Sequence, residues 1–120
     1  MSTILLSSIK WMAQIQIAVR NESQRSMASV GGTFFLAILA SNGQVIASKN
    51  VSIMFADAEF PNLQPGKYQC LVRHPEVQPT QAEWEVELQT EADLLQVLFI
   101  YSEPERVLLR VRTQLSGGLF

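Results

Sequence analysis

The stretch TFFLAILASNGQVIASKN (residues 33–50) decides the fold of this chain. Its first half is apolar at both parities of a strand, and Asn42-Gly43 separates it from a second run of β-forming residues. Both central positions of a type I′ turn need a positive φ, which Asn and Gly tolerate. The stretch therefore predicts an antiparallel hairpin between residues 33–41 and residues 44–54.

Other segments also have the pattern of strands. In residues 82–88, apolar side chains alternate with Glu83, Glu85 and Glu87, so one face of the strand is dry and the other is acidic. Further strands are expected at residues 9–20, 67–73, 93–101 and 107–113, the last two forming a hairpin.

About seven short strands separated by turn signals, with no clear helical period, predict an all-β fold. The expected architecture is an antiparallel two-sheet Greek-key sandwich of the immunoglobulin or transthyretin-like kind. Because 120 residues suit one domain, we expect a single β-sandwich over residues 1–120. The segments 1–8 and 116–120 are expected to be flexible ends.

Two motifs carry a resemblance to known families. NGQVIA (residues 42–47) is followed by LQPGKY (residues 63–68), in which Pro-Gly makes a tight turn into a strand. Over residues 34–88 the chain resembles the carboxypeptidase-regulatory-like and collagen-adhesin B-type modules. The resemblance implies a seven-stranded transthyretin-like sandwich. It does not extend to the transthyretin-like hydrolases, which need several histidines where this chain has one.

The charge balance argues against nucleic acid as a partner. Nine Lys and Arg against eleven Asp and Glu give a formal charge of −2, and no run of basic residues occurs. Binding to nucleic acid through counterion release normally needs a clustered basic surface. We therefore expect no nucleic-acid partner.

Cysteine use and hydropathy suggest a compartment. Cys70 is the only cysteine, and its place in an alternating segment predicts a buried strand thiol. The longest apolar run, residues 34–40, is far shorter than a membrane span, and residues 1–6 lack the features of a signal peptide. We expect a cytoplasmic protein that binds no membrane.

The candidate chemistry is sparse. His74 is the only histidine, and no serine or cysteine beside it lies in a recognisable nucleophile motif. We interpret it as a solvated loop histidine. One Cys and one His are too few for a structural zinc site. The sequence therefore predicts no enzyme activity, no cofactor and no metal site.

An acidic block runs from Glu76 to Glu105, with eight carboxylates and no Lys or Arg before Arg106. Carboxylates are ligands for Ca²⁺, but the alternation in residues 83–87 lacks the looped spacing that wraps an ion. We interpret that segment as a wet strand face whose charge deters edge pairing. Whether the block binds a cation is left open. Trp11 and Trp84 both fall on dry faces and are expected in the core.

A surplus of apolar side chains carries the functional prediction. A sandwich strand needs one dry face, yet residues 33–40 and 93–101 are apolar on both faces. A partner subunit, another protein, a terminal segment or local loops must cover the second face. We expect a non-enzymatic protein–protein interaction or assembly module, as a homodimer or with another protein partner. Its predicted interface residues are Phe34, Leu36, Ile38, Leu94, Leu98 and Ile100.

The alternative function uses the loops at one end of the sandwich. Loops of β-sandwiches often carry binding sites. On this hypothesis the chain is a small-ligand or carbohydrate-binding domain lined by residues 21–32 and 74–80.

Overall fold

A computed structural model describes residues 12–117 of the chain. Trp11 and the predicted flexible segment 1–8 lie outside these residues, as do residues 118–120. The secondary structure of residues 12–117 consists of ten β-strands: β1 (Ala13–Asn21), β2 (Ser29–Val30), β3 (Thr33–Phe34), β4 (Leu36–Ser41), β5 (Gln44–Asn50), β6 (Asp57–Leu63), β7 (Gly66–Arg73), β8 (Gln81–Leu88), β9 (Asp93–Ser102) and β10 (Val107–Gly117).

Eight of these strands form two four-stranded sheets. The first sheet has the order β10-β9-β1-β6 and the second has the order β5-β4-β7-β8, while β2 and β3 form a short separate ladder. The inner faces of the two sheets enclose one apolar core. The predicted all-β sandwich is therefore confirmed.

Both predicted hairpins are present. Strands β4 and β5 pair antiparallel around Asn42 and Gly43, whose φ angles of 54° and 78° are those of a type I′ turn. Strands β9 and β10 also pair antiparallel. Strand β10 includes Ser116 and Gly117, the start of a predicted flexible end, because these residues pair with Leu94 and Asp93.

One pair of strands departs from the antiparallel expectation. Strands β1 and β9 run parallel, in a register from Gln14 opposite Leu94 to Asn21 opposite Tyr101. The chain between them supplies all four strands of the second sheet and also β6 of the first sheet. Because β1 and β9 run parallel, the chain enters both strands at the same end of the first sheet.

Strand β6 was not expected from the sequence, because Pro61 and Asn62 give its segment the composition of a turn. It pairs only with β1, at the edge of the first sheet. A proline is tolerated at a sheet edge, since its missing N–H need not face a neighbouring strand.

The core contains the alternate residues of the central strands. Ile15, Ile17 and Val19 of β1 are fully buried, and so is Cys70 of β7, as predicted. Trp84 is an exception, because 43% of its surface is exposed. It has the parity of the buried residues of β8, but β8 is an edge strand, so a neighbouring strand flanks Trp84 on one side only.

Candidate functional site

The outer face of the first sheet carries part of the predicted interface. Leu98 and Ile100 of β9 pack with Ala18 of β1 in an apolar cluster separate from the core. All three are buried within the described residues. Arginines flank them in register: Arg20 and Arg110 lie opposite Ile100, and Arg112 lies opposite Leu98. Leu94, at the other end of β9, is 40% exposed.

The outer face of the second sheet carries another part. Ile38 and Ala40 of β4 pack with Leu71 of β7 in a third apolar cluster, and Leu36 is packed against it. This cluster forms the floor of a shallow groove of about 200 Å³, whose rim includes Arg73, Gln81 and Glu83. Ile38 is nevertheless buried by its neighbours.

The six predicted interface residues therefore do not form one surface. Leu94, Leu98 and Ile100 lie on the first sheet, while Leu36 and Ile38 lie on the opposite side of the sandwich. Phe34 belongs to the short β2–β3 ladder and is half-buried.

The most exposed run of adjacent apolar residues in the described part of the chain is one that sequence reasoning missed. The tip loop, residues 52–56, connects β5 to β6, and its central residues Ile53, Met54 and Phe55 are 78%, 72% and 60% exposed. The expected strand over residues 44–54 would have included two of them, but β5 ends at Asn50. The feature of the sequence that could have revealed this loop is its run of three adjacent apolar residues, because the run breaks the period-2 pattern of a strand.

Hydrogen bonds hold the base of the tip loop. The Ser52 N–H donates to the Asp57 carbonyl oxygen at 2.8 Å, and the Ala56 N–H donates to the Ser52 carbonyl oxygen at 3.0 Å. The Ser52 hydroxyl donates to Asp57 Oδ1 at 2.7 Å. Arg20 Nη1 donates to the Phe55 carbonyl oxygen at 2.9 Å. The backbone of the loop is thus tied to the sheet while its three apolar side chains remain outside.

The loop after β7 lies at the same end of the sandwich as the tip loop, but its most distinctive side chain is buried rather than exposed. His74 is fully buried, so the expectation of a solvated loop histidine is wrong. Its Nδ1 accepts a hydrogen bond from the Glu76 N–H at 3.0 Å. Its Nε2 lies 2.8 Å from the Thr33 carbonyl oxygen and therefore carries the hydrogen and donates. The ring packs against Phe35 with a centroid distance of 4.7 Å. Both ring nitrogens are engaged, which leaves neither free to act on a ligand.

The two loops of the alternative function, residues 21–32 and 74–80, contact one another. Gly31 has a φ of 58°, and a Cβ atom there would lie 2.8 Å from Glu76 Oε2. Glu76 Oε1 also accepts a hydrogen bond from Arg106 Nη1 at 2.8 Å. At this contact Gly31 and Glu76 pack directly against one another, so no space for a ligand is left between them.

The acidic strand face is exposed. Glu83, Glu85 and Glu87 of β8 lie on the outer side of the second sheet, opposite the side that carries Arg110 and Arg112. Acidic and basic faces therefore do not meet within the domain. Among residues 12–117, no group of three or more His, Cys, Asp or Glu side chains is arranged to hold a metal ion.

Two fully buried residues have raised pKa values. Burial raises the pKa of the Cys70 thiol to about 12, so the reactive thiolate is disfavoured at neutral pH. Burial likewise raises the pKa of the Tyr101 hydroxyl. That hydroxyl has no hydrogen-bond partner in the described part of the chain. Neither group lies in an accessible position.

Comparisons with known proteins give the fold but no family. No family model matches the sequence, and no curated protein matches it. The structure is similar to the crystal structure of a proposed cell adhesion protein from Bacteroides uniformis, with a TM-score of 0.53 and 10% sequence identity. The match covers 89% of this chain and 50% of that chain, so this chain spans about half the length of its structural neighbour.

At 10% identity the likeness concerns the fold alone, and it supports the β-sandwich assignment. Within residues 12–117, no helix has the length and apolar character needed to cross a membrane.

Proposed function

We propose that this chain is a non-enzymatic protein–protein interaction module whose main contact surface is the tip loop. One observation carries the proposal: Ile53, Met54 and Phe55 are adjacent, apolar and each more than half exposed. Contiguous exposed apolar surface on a folded protein typically marks a site of interaction.

The energetics favour this loop over the predicted sheet faces. Each of its three side chains contributes roughly 1–2 kcal/mol when a partner covers it. Ile38, Leu98 and Ile100 are already buried in a single chain, so a partner removes little further apolar area from water there. The hydrogen-bonded base of the loop also reduces the entropy lost on binding, because its backbone is already ordered.

The environments of the two most reactive side chains support the non-enzymatic part of the proposal. Both ring nitrogens of His74 are hydrogen-bonded inside the protein, and Cys70 is a buried thiol with a high pKa. The partner is either a second copy, which makes the chain a homodimer, or a different protein. The description of the Bacteroides uniformis neighbour as a proposed cell adhesion protein fits protein binding as a role for this fold.

Photo-crosslinking tests the proposal. A benzoylphenylalanine at position 54 is expected to form a discrete adduct with a protein, either another copy or a different chain, in cells that produce this protein. The same probe at Gln89, an exposed residue in the connection at the opposite end of the sandwich, is the matched control. An absence of adducts at position 54, or equal labelling from both positions, would contradict the proposal.

A further inference from the structure

The two sides of the sandwich are closed to different degrees. On one side β5 and β6 are neighbours, and Lys49 joins them: its Nζ donates to the Glu59 carbonyl oxygen at 2.6 Å and lies 5.1 Å from the centre of the Phe60 ring. On the other side, which we call the open side, β8 and β10 are neighbours with a shallow groove of about 190 Å³ between them. The groove is lined by Trp84, Glu85, Val86, Glu87, Leu95 and Thr113.

The open side leaves apolar side chains and strand edges uncovered. Trp84 of β8 and Leu115 of β10 have the parity of the core residues of their strands, yet they are 43% and 56% exposed. Among residues 12–117, β8 pairs only with β7, and β10 pairs only with β9 apart from a bridge between Gln78 and Val107. A free strand edge presents unpaired N–H and C=O groups that another strand can use.

The two edge strands also carry opposite charges. Arg110 and Arg112 of β10 point to the outer side of the first sheet, and Glu83 and Glu85 of β8 point to the outer side of the second sheet. Within residues 12–117, none of these four side chains takes part in an ion pair. At the open side, one sheet therefore ends in a basic edge and the other in an acidic edge.

Strands β8 and β10 run in the same direction. Both begin at the end of the sandwich where the tip loop lies. Gln78, shortly before β8, forms a parallel bridge with Val107 at the start of β10. Further along, Thr113 lines the groove together with residues 84–87. The two arginines of β10 therefore lie at about the level of the two glutamates of β8.

We infer that two copies of this chain associate side by side through the open side, so that each sheet continues into a sheet of the other copy. A two-fold axis parallel to the strands, midway between the sheets, places β10 of each copy beside β8 of the other. Both contacts bring arginines beside glutamates, and Trp84 and Leu115 of the two copies are covered between the sheets. Such an interface is isologous, because both copies use the same surface.

The charges disfavour the other two-fold arrangement of the same sides. An axis perpendicular to the sheets would place β10 beside β10 and β8 beside β8, in antiparallel pairs. Arginines would then lie near arginines and glutamates near glutamates, and like charges on neighbouring strands are destabilising. The axis parallel to the strands instead brings opposite charges together at both edges.

The dimer goes beyond the proposed function, because its interface lies away from the tip loop. The tip loop connects β5 to β6, which form the opposite side of the sandwich, so both tip loops stay free in the dimer.

The size of the open side indicates a weak dimer. Eight paired residues extend about 26 Å, and two sheets about 10 Å apart are roughly 20 Å thick with their outer side chains. Two such surfaces bury roughly 1,000 Å² in total, which is at the lower limit for a specific interface. Exposed charge pairs are screened by salt, so the dimer is expected to dissociate as ionic strength rises.

Charge exchange tests the inference. In the dimer, Arg110→Glu/Arg112→Glu places glutamates beside glutamates, and Glu83→Lys/Glu85→Lys places lysines beside arginines. By sedimentation equilibrium at low salt and about 100 µM protein, we expect the unaltered chain to dimerise and each variant alone to dimerise roughly tenfold more weakly. An equimolar mixture of the two variants should recover dimers with one copy of each, because opposite charges meet again. Glu59→Lys, at an exposed position of β6 on the other side, is the control and should leave association unchanged.

Hydrogen exchange locates the interface. Between about 1 µM and about 100 µM protein, the backbone N–H groups of residues 81–88 and 109–117 are expected to exchange more slowly, because free edges become paired. The edge strand β6 should exchange equally at both concentrations. Circular dichroism and thermal unfolding verify that the variants fold.

Four results would overturn the inference: a monomeric unaltered chain under these conditions, variants that associate as well as the unaltered chain, a mixture that does not recover the dimer, or protection confined to residues 52–63. A monomeric chain whose position 54 still crosslinks to a different protein would refute the dimer and leave the proposed function standing.

Discussion

Two connections at the same end of the sandwich use their residues in opposite ways. The loop after β7 draws His74 into the core, where both ring nitrogens are hydrogen-bonded. In the tip loop, by contrast, hydrogen bonds hold the backbone, and the side chains of Ile53, Met54 and Phe55 remain in solvent. The loop after β7 thus buries a polar side chain, whereas the tip loop exposes apolar side chains that a partner can contact.

The contrast shows that residue type alone does not locate function in this molecule. The only imidazole is the residue that a search for chemistry selects first, yet its contacts are structural. The three apolar residues of the tip loop have the composition of a strand end, yet among residues 12–117 they form the most exposed run of adjacent apolar side chains. We therefore expect substitutions in the loop after β7 to change stability, whereas substitutions of the exposed apolar side chains of the tip loop change association.

The largest effect is expected for His74→Ala. The change removes a buried ring that packs against Phe35 and leaves the Thr33 carbonyl oxygen without its donor. We expect the free energy of unfolding to fall by about 2–4 kcal/mol, as measured by urea denaturation. His74→Leu, which restores volume but not hydrogen bonds, should recover part of the loss. A stability of the alanine variant equal to that of the unaltered chain would mean that the histidine is not structural.

An intermediate effect is expected for Ser52→Ala. The hydroxyl of Ser52 bonds to Asp57 and accepts from the Phe55 N–H, so its removal loosens the base of the tip loop. The expected loss is about 1 kcal/mol in the free energy of unfolding, with faster hydrogen exchange at Phe55 and Ala56. Ser48→Ala, at an exposed position on β5, is the control and should change neither quantity. Unaltered exchange at Phe55 would show that the hydroxyl does not order the loop.

The smallest effect on stability is expected for Ile53→Ser combined with Phe55→Ser. These side chains are mostly in solvent, so the free energy of unfolding should change by no more than about 0.5 kcal/mol. Adduct formation by a crosslinker at position 54 should nevertheless fall by roughly tenfold, since two anchoring contacts are lost. A large loss of stability with unchanged crosslinking would reverse the roles assigned to the two loops.

Local turn chemistry made part of the fold predictable. Asn42 and Gly43 suit the positive φ angles of their turn, so the β4–β5 hairpin follows from two residues. The alternation in β8 likewise indicated which side chains face solvent, although Trp84 is more exposed than its parity implied. Its exposure depends on β8 being an edge strand, which is a property of the whole sheet.

Long-range pairing explains most of what the sequence did not reveal. The parallel β1–β9 pair joins segments far apart in the chain, and no local pattern specifies it. The buried Leu98 and Ile100 have arginines of β1 and β10 as cross-strand neighbours, which only the folded sheet brings together. The tip loop was missed because its apolar residues match a buried strand in composition, and only the end of β5 at Asn50 distinguishes the two.

The parallel pairing of β1 with β9 has a consequence for how the chain is made on the ribosome. Strand β1 leaves the exit tunnel long before its partner in β9, because the residues that pair with Gln14 to Asn21 are Leu94 to Tyr101. Until then β1 can pair only with β6, and its other edge is open to wrong partners. Nascent chains halted before β9 should therefore remain sensitive to proteases and depend on chaperones, and the domain should acquire its resistance in one late step.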